Sequence, residues 1–277
     1  MYRMQTETII QIKKTRTDQE PHIYEIMVSK TADHTRYFAP IVKVEAVSLV
    51  SLTKNEIKKC TECGDDKKEY VRVTRRGIGR QTLIERIEEY TKNLPSSTPE
   101  KIQDYYEHMT DGLLKLKDAH IVHFNIQAEN IIYSDSDYCP ILTDFGEAFV
   151  LEDLYNDETM KRVFSKPHPP NRCIEALCIS LILEEPAWKT SQINITKLEE
   201  LIMSHFQDDE VELGLLWVKY IRKIGKNKGK TMVKILMENW YTWDMYSLNR
   251  LFYSSLSHEN QNVVAGEPYK KFVFKIR

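Results

Sequence analysis

Two short stretches of the chain carry residues able to do chemistry together. His123-Phe124-Asn125-Ile126-Gln127-Ala128-Glu129-Asn130 offers an imidazole and two amides, and Asp144-Phe145-Gly146 brings a carboxylate fourteen residues after Asn130. Carboxylate and amide oxygens are hard donors, of the kind Mg²⁺ accepts beside phosphate groups. Phosphoryl transfer asks little covalent chemistry of a protein. It needs oxygens on the metal ions and an acceptor for the proton of the attacking hydroxyl. Asp144 and Asn130 could supply such oxygens, and Asn125 stands between Asn130 and His123. A neutral amide takes up no proton near pH 7, and loss of a general base costs about 10²- to 10⁴-fold in rate.

The surrounding sequence predicts the elements that position these groups. Residues 7–12, 22–28, 41–47 and 70–74 are short runs rich in β-branched residues and read as strands. Arg75-Arg76-Gly77-Ile78-Gly79-Arg80 breaks the pattern, so a boundary is expected after Arg76, with residues 1–76 as one lobe and 77–277 as the other. Beyond it the chain turns helical. Residues 81–92 form one predicted helix. A second starts at Ser97-Thr98-Pro99-Glu100, a capping-box sequence, and runs on helical spacing through Ile102, Tyr105, Met109, Leu113 and Leu116 to about His120. Ile131-Ile132 and Ile141-Leu142 are the apolar pairs expected to flank the Asn130 loop and lead into Asp144. A strand-rich piece followed by a helix-rich piece predicts an α+β, two-lobed protein.

The segment from Ile121 to Asn130, with Leu142-Thr143-Asp144-Phe145-Gly146, resembles the catalytic loop and metal-binding turn of the eukaryotic-type protein kinases, H-R-D-x-x-x-x-N and D-F-G. More narrowly it is similar to the divergent kinases of large cytoplasmic DNA viruses. Tyr37-Phe38-Ala39-Pro40-Ile41-Val42-Lys43 resembles a strand-opening motif of those proteins. Pro170 followed by Ile174-Glu175, with Glu175 29 residues after Gly146, falls where a kinase closes its activation segment. Trp243-Asp244-Met245-Tyr246-Ser247-Leu248 resembles the start of the buried central helix of the C-lobe. The resemblance implies a two-lobed protein-kinase-like fold with a reduced β-rich N-lobe and a mainly helical C-lobe. It implies ATP and Mg²⁺ as cofactors, with Asn130 and Asp144 on the metal. His123, Glu175 and Asp244 become scaffold residues, Asp244 bracing the catalytic-loop backbone. Met27-Val28-Ser29-Lys30 resembles the strand that ends in the phosphate-clamping lysine, which makes Lys30 the candidate.

The departures from that pattern turn the expectation away from catalysis. No glycine precedes Gly64, so the first strands lack a glycine-rich phosphate cover. Seven residues separate Lys30 from Phe38, too few for a regulatory helix of two or three turns between them. Phe124 stands where the motif has arginine, and Asn125 where it has its catalytic aspartate. Only about twenty residues follow the expected central helix at 243–257, too few for the full set of peripheral helices. The reading that results is a pseudokinase that acts by binding a protein partner, with nucleotide binding through Asn130 and Asp144. The other reading is an atypical, weakly active Ser/Thr kinase. By resemblance alone, the expected location is the cytoplasm or a virion.

Bulk composition fits an ordinary globular chain of 277 residues, 42% hydrophobic and 29% charged, and a net charge of -2 argues against a general affinity for nucleic acid. No run of 18 apolar residues is present, and Met1 to Lys14 lacks a signal-peptide core, so no membrane association is expected. Five cysteines, an odd number, suit a reducing compartment. Cys60-Thr61-Glu62-Cys63 has no second pair to complete a zinc site and reads as loop thiols. Lys219, Arg222, Lys223, Lys226, Lys228, Lys230 and Lys234 form a basic stretch that could meet nucleic acid or lipid phosphates, although a solvated helix end is the ordinary reading. Residues 151–158 form an acidic run in the expected activation segment. His168 and His205 have no ligand neighbours in sequence.

Overall fold

The computed structural model describes residues 8–14, 20–31, 33–39, 41–48, 51, 54, 70–76, 79, 81–93, 97–165, 171–206 and 210–255. It is mixed helix and strand, mostly helical, with small sheets. The chain divides into two compact units, one of residues 1–123 and 128–149, the other of 124–127 and 150–277. The division therefore does not follow the end of the third strand at Arg76.

In the first unit, β1 (Thr8–Lys14), β2 (Ile41–Val47) and β3 (Tyr70–Arg76) form an antiparallel sheet in the order β1-β3-β2. Between β1 and β2 lies a helix, α1 (Glu20–Lys30), where the sequence predicted a strand over 22–28. Ile23 and Met27, four residues apart, are fully buried, whereas Glu25 between them is exposed. A strand would turn all three to one face. Burial of the four-residue repeat outweighs the β-propensity of the Ile-Tyr-Glu-Ile-Met-Val run. α1 packs against the tight turn Phe145–Glu147. A helix beside that turn was not expected, because the gap after Lys30 is too short for one. It lies before that gap instead.

Two helices follow, α2 (Leu83–Asn93) and α3 (Thr98–Asp118). α3 has Pro99 in its first turn, where the missing N–H is harmless, and buries Ile102, Tyr105, Met109, Leu113 and Leu116 on one side. The Ser97 side chain makes no cap bond, so the expected capping box is not formed. After the short strand β4 (Ile121–Val122), β5 (Ile131–Ser134) and β6 (Cys139–Leu142) make a hairpin. The hairpin is widened on both sides by single bridges, Phe38 to Leu142 and Thr82 to Ile132. Gly79 lies against its backbone: a Cβ there would stand 2.1 Å from the Tyr133 carbonyl oxygen, so only glycine permits the approach.

The second unit holds, among the described residues, the helices α4 (Asp157–Phe164), α5 (Ile174–Glu184), α6 (Ile195–His205), α7 (Val211–Ile224) and α8 (Gly229–Met237). They are followed by α9 (Trp243–Ser255). α5 is buried on nearly every side, with Ile174, Glu175, Ala176, Cys178, Ile179, Ile182 and Leu183 all inside. The sequence placed the buried central helix at 243–257. Among the described residues, four helices follow α5.

Candidate functional site

Three of the predicted site residues meet in the first unit through a residue the sequence did not single out. Nε2 of His123 donates to the carbonyl oxygen of Thr143 at 2.9 Å, which fixes the hydrogen on that nitrogen because a carbonyl only accepts. The backbone N–H and the hydroxyl of Thr143 both donate to the carbonyl oxygen of Asn130, at 2.8 and 3.2 Å. Thr143 thus ties the end of the 123–130 stretch to the residue before Asp144. Asn130 is buried, and Asp144 is half-buried.

Asp144 adopts a left-handed backbone, φ 58° and ψ 72°. For a residue with a Cβ this conformation stores strain, which persists where surrounding contacts impose it and is concentrated at functional positions. The contacts here are aromatic. Phe145, next in the chain, stands edge-on to Phe38 at 5.8 Å and to His123 at 4.7 Å between ring centroids. Phe38 is held by the extra bridge to β6, with Ala39 N–H donating to Leu142 and Leu142 N–H to Tyr37, both at 2.9 Å. The turn at 144–147 therefore sits on a rigid platform of β6, the 37–39 segment and α1.

Asn130 and Asp144 supply one amide oxygen and one carboxylate. This donor set fits Mg²⁺, which keeps several waters and takes one or two protein oxygens along with phosphates. Among the described residues no group of three or more His, Cys, Asp and Glu is placed to hold a metal ion on its own. A cation at Asn130 and Asp144 would complete its shell with waters and, where a nucleotide is bound, with phosphate oxygens.

Lys30 is not at the end of a strand. It closes α1, is exposed, and its Nζ donates to the carbonyl oxygen of Ala119 at 3.3 Å. Ala119 caps the C-terminus of α3, where unpaired carbonyls attract cations. That bond gives Lys30 a structural role and removes the strand-end reasoning that marked it for phosphate.

Asn125, Glu175 and Asp244 belong to the second unit. Asn125 is buried in the loop 124–127. The residue before it, Phe124, has φ 63°, a second left-handed backbone. Its N–H donates to Oδ1 of Asp244 at 2.9 Å, and its carbonyl accepts from the guanidinium of Arg172. The carbonyl of Ile126 accepts from the side-chain amide of Asn171. The loop is thus braced on both sides of Asn125. The Phe124 ring packs among Phe164, Trp243 and the Arg172 guanidinium, with ring centroids 5.5 and 6.0 Å away and the guanidinium carbon at 3.8 Å. Asp244 provides its bond from α9, the last described helix. Arg172 and Asn171 escaped the sequence reading because nothing near them in the chain forms a motif with residues 124–126.

Glu175 lies in the first turn of α5, buried, with no ion-pair partner among the described residues. Burial pushes its carboxyl up to about 7, against which the bonds from its own N–H and from the Cys173 thiol act only in part. The same burial raises the Cys173 thiol, with the Glu175 carboxylate adding to it. Cys60, Cys63, His168 and Pro170 lie outside the described residues.

The basic stretch covers the end of α7 and the start of α8, and all seven of its cationic residues are exposed. Arg222 makes a two-bond pair with Glu199, at 2.7 and 2.9 Å. The first N–H groups of α8 do not face a ligand: Gly229 donates to Ser191 at 3.1 Å and Lys230 to Trp188 at 3.0 Å. What remains is a set of solvated lysines without an anion-binding helix end. Among the described residues, no helix is long and apolar enough to cross a membrane.

Compared with known proteins, the chain matches no protein-family model, and no curated protein matches it.

Proposed function

We propose that this chain is a pseudokinase: a protein-kinase-like molecule that acts by binding a protein partner and does not transfer phosphate. The observation that carries this reading is the loop around Asn125. Its backbone is held in a strained shape by Asp244 and Arg172, as a loop with a positioned catalytic residue would be, yet the positioned residue is an amide. The positioning is kept, and the group that would accept a proton is not there.

Nucleotide binding is part of the reading. Asn130 and Asp144 would hold Mg²⁺, and bound ATP would supply its phosphate ligands. Lys30 does not supply the cation for those phosphates in this reading: it closes α1, which packs against the 145–147 turn, and its ammonium donates to the Ala119 carbonyl.

The second reading, a weakly active Ser/Thr kinase, draws on the same helix beside the same turn. A thermal-shift titration with ATP and Mg²⁺ tests the nucleotide part, since a ligand selective for the folded state raises its stability. An upward shift lost in Asp144→Ala is expected. No shift at millimolar ATP·Mg²⁺ would leave a scaffold that does not respond to nucleotide.

A further inference from the structure

The motif that the 123–130 loop resembles carries an arginine where this chain has Phe124, and in regulated kinases order in the activation segment is imposed by new pairs between arginine and phosphate. The second unit holds a buried arginine at that place, but it comes from elsewhere in the chain. Arg172 is 2% exposed and its guanidinium carbon lies 3.8 Å from the centre of the Phe124 ring, within the distance for a cation–π contact. The same guanidinium donates to the Phe124 carbonyl. Its neighbour Asn171 donates to the carbonyls of Ile126 and of Ser247 on α9, the latter at 3.3 Å. The segment that starts at Val150 meets the same ring near its end. Phe164, at the end of α4, stands edge-on to Phe124 at 5.5 Å and to Trp243 at 5.9 Å. Its carbonyl accepts from the Ser180 hydroxyl of α5 at 2.7 Å.

We infer that Arg172 is a positioning residue that locks loop 124–127 and the 150–165 segment together without any modification. Phe124 is the shared contact. A guanidinium buried against a ring and bonded to a main-chain carbonyl is out of reach of an incoming phosphate. The arginine position of the motif has become the receptor of the clamp, and the cation has moved to residue 172. A lysine could not replace it, because the planar guanidinium stacks and donates at once, whereas an ammonium is a hydrated point charge. The clamp rests on distances within the second unit. Its meaning as a substitute for a phosphate switch rests on the pseudokinase reading above.

The test is hydrogen–deuterium exchange of the full chain, made in bacteria and treated with phosphatase, as wild type, Arg172→Lys and Phe124→Leu. Wild type is expected to protect the amides of 150–165 without phosphate. Each variant is expected to raise exchange in 124–127 and 150–165 at least tenfold, while α6 and α7 keep their protection. Phe124→Leu fills the apolar site but removes the ring face, so it keeps the test open if Arg172→Lys does not fold. Fast exchange of 150–165 in the phosphatase-treated wild type, or wild-type rates in either variant, would overturn the proposal. Exchange reads the clamp alone, so phosphate transfer by the wild type would count against the pseudokinase reading and leave the clamp standing.

Discussion

The N–H of Phe124 donates to Oδ1 of Asp244 at 2.9 Å, joining residues 120 positions apart in a buried bond. It fixes the start of the loop that carries Asn125. Phe124 pays for its left-handed backbone with contacts on both of its peptide groups, and Asp244 supplies one of them.

Asp244→Ala is expected to lower stability by about 1–3 kcal/mol, the cost of leaving a buried donor unmatched. Asp244→Asn keeps an acceptor and should lose less. Urea denaturation of both variants checks the ranking. Equal losses would mean that the charge and not the bond holds the loop.

Helix α1 makes a prediction a strand would not. Ile23→Ala and Met27→Ala should each cost about 2–5 kcal/mol, as buried large-to-small changes do. Glu25→Ala should stay within about 0.5 kcal/mol, because Glu25 is exposed. In a strand it would share the buried face of its two neighbours. Denaturant midpoints of the three variants decide between the two arrangements.

Two titrating groups of the second unit, Glu175 and His205, give opposite pH dependence. Glu175, held at about 7 by burial, binds its proton more tightly in the folded chain than at its ordinary 4.5. Stability therefore falls as pH rises from 4.5 to 7 and is level above that. His205 is lowered to about 4, by burial first and by the Arg250 charge second, with Glu210 opposing. Its contribution is complete above its ordinary 6.5 and is lost as pH falls toward 4. Between 4.5 and 6.5 the two slopes offset each other. Glu175→Gln should expose a stability that rises with pH up to 6.5, and His205→Gln one that falls with pH up to 7. Chemical denaturation across that range reads both signs.

The part of Lys30 in nucleotide binding can be tested by substitution. Lys30→Met should leave the thermal shift produced by ATP·Mg²⁺ in place, because the Lys30 ammonium is held on the Ala119 carbonyl. The reverse result would return the role to Lys30 in spite of its bond to Ala119.

The sequence was readable where contacts are local. α3 followed from the spacing of Ile102, Tyr105, Met109, Leu113 and Leu116, and the β5–β6 hairpin from its two apolar pairs, because each pattern repeats within a few residues. α1 was misread because Ile23, Ile26 and Val28 favour strand by type. The buried pair Ile23 and Met27, with charged Glu25 between them, was the helical signal. The distant relationships were harder. Arg172 meets Phe124 across 48 positions, and no local pattern announces a guanidinium on a ring. α5 hides in a run of apolar residues that looks like any buried segment. Asp244 drew attention by its neighbours in sequence, and the bracing bond it makes comes from the last described helix.

Phosphate transfer tests the central claim most directly. Purified protein is incubated with radiolabelled ATP and Mg²⁺, alone and with generic protein substrates, beside an Asp144→Ala control. No label above that control is expected on the chain itself or on any substrate. Label that appears with the wild type and vanishes in Asp144→Ala would contradict the claim, and would make the chain an active kinase despite Asn125.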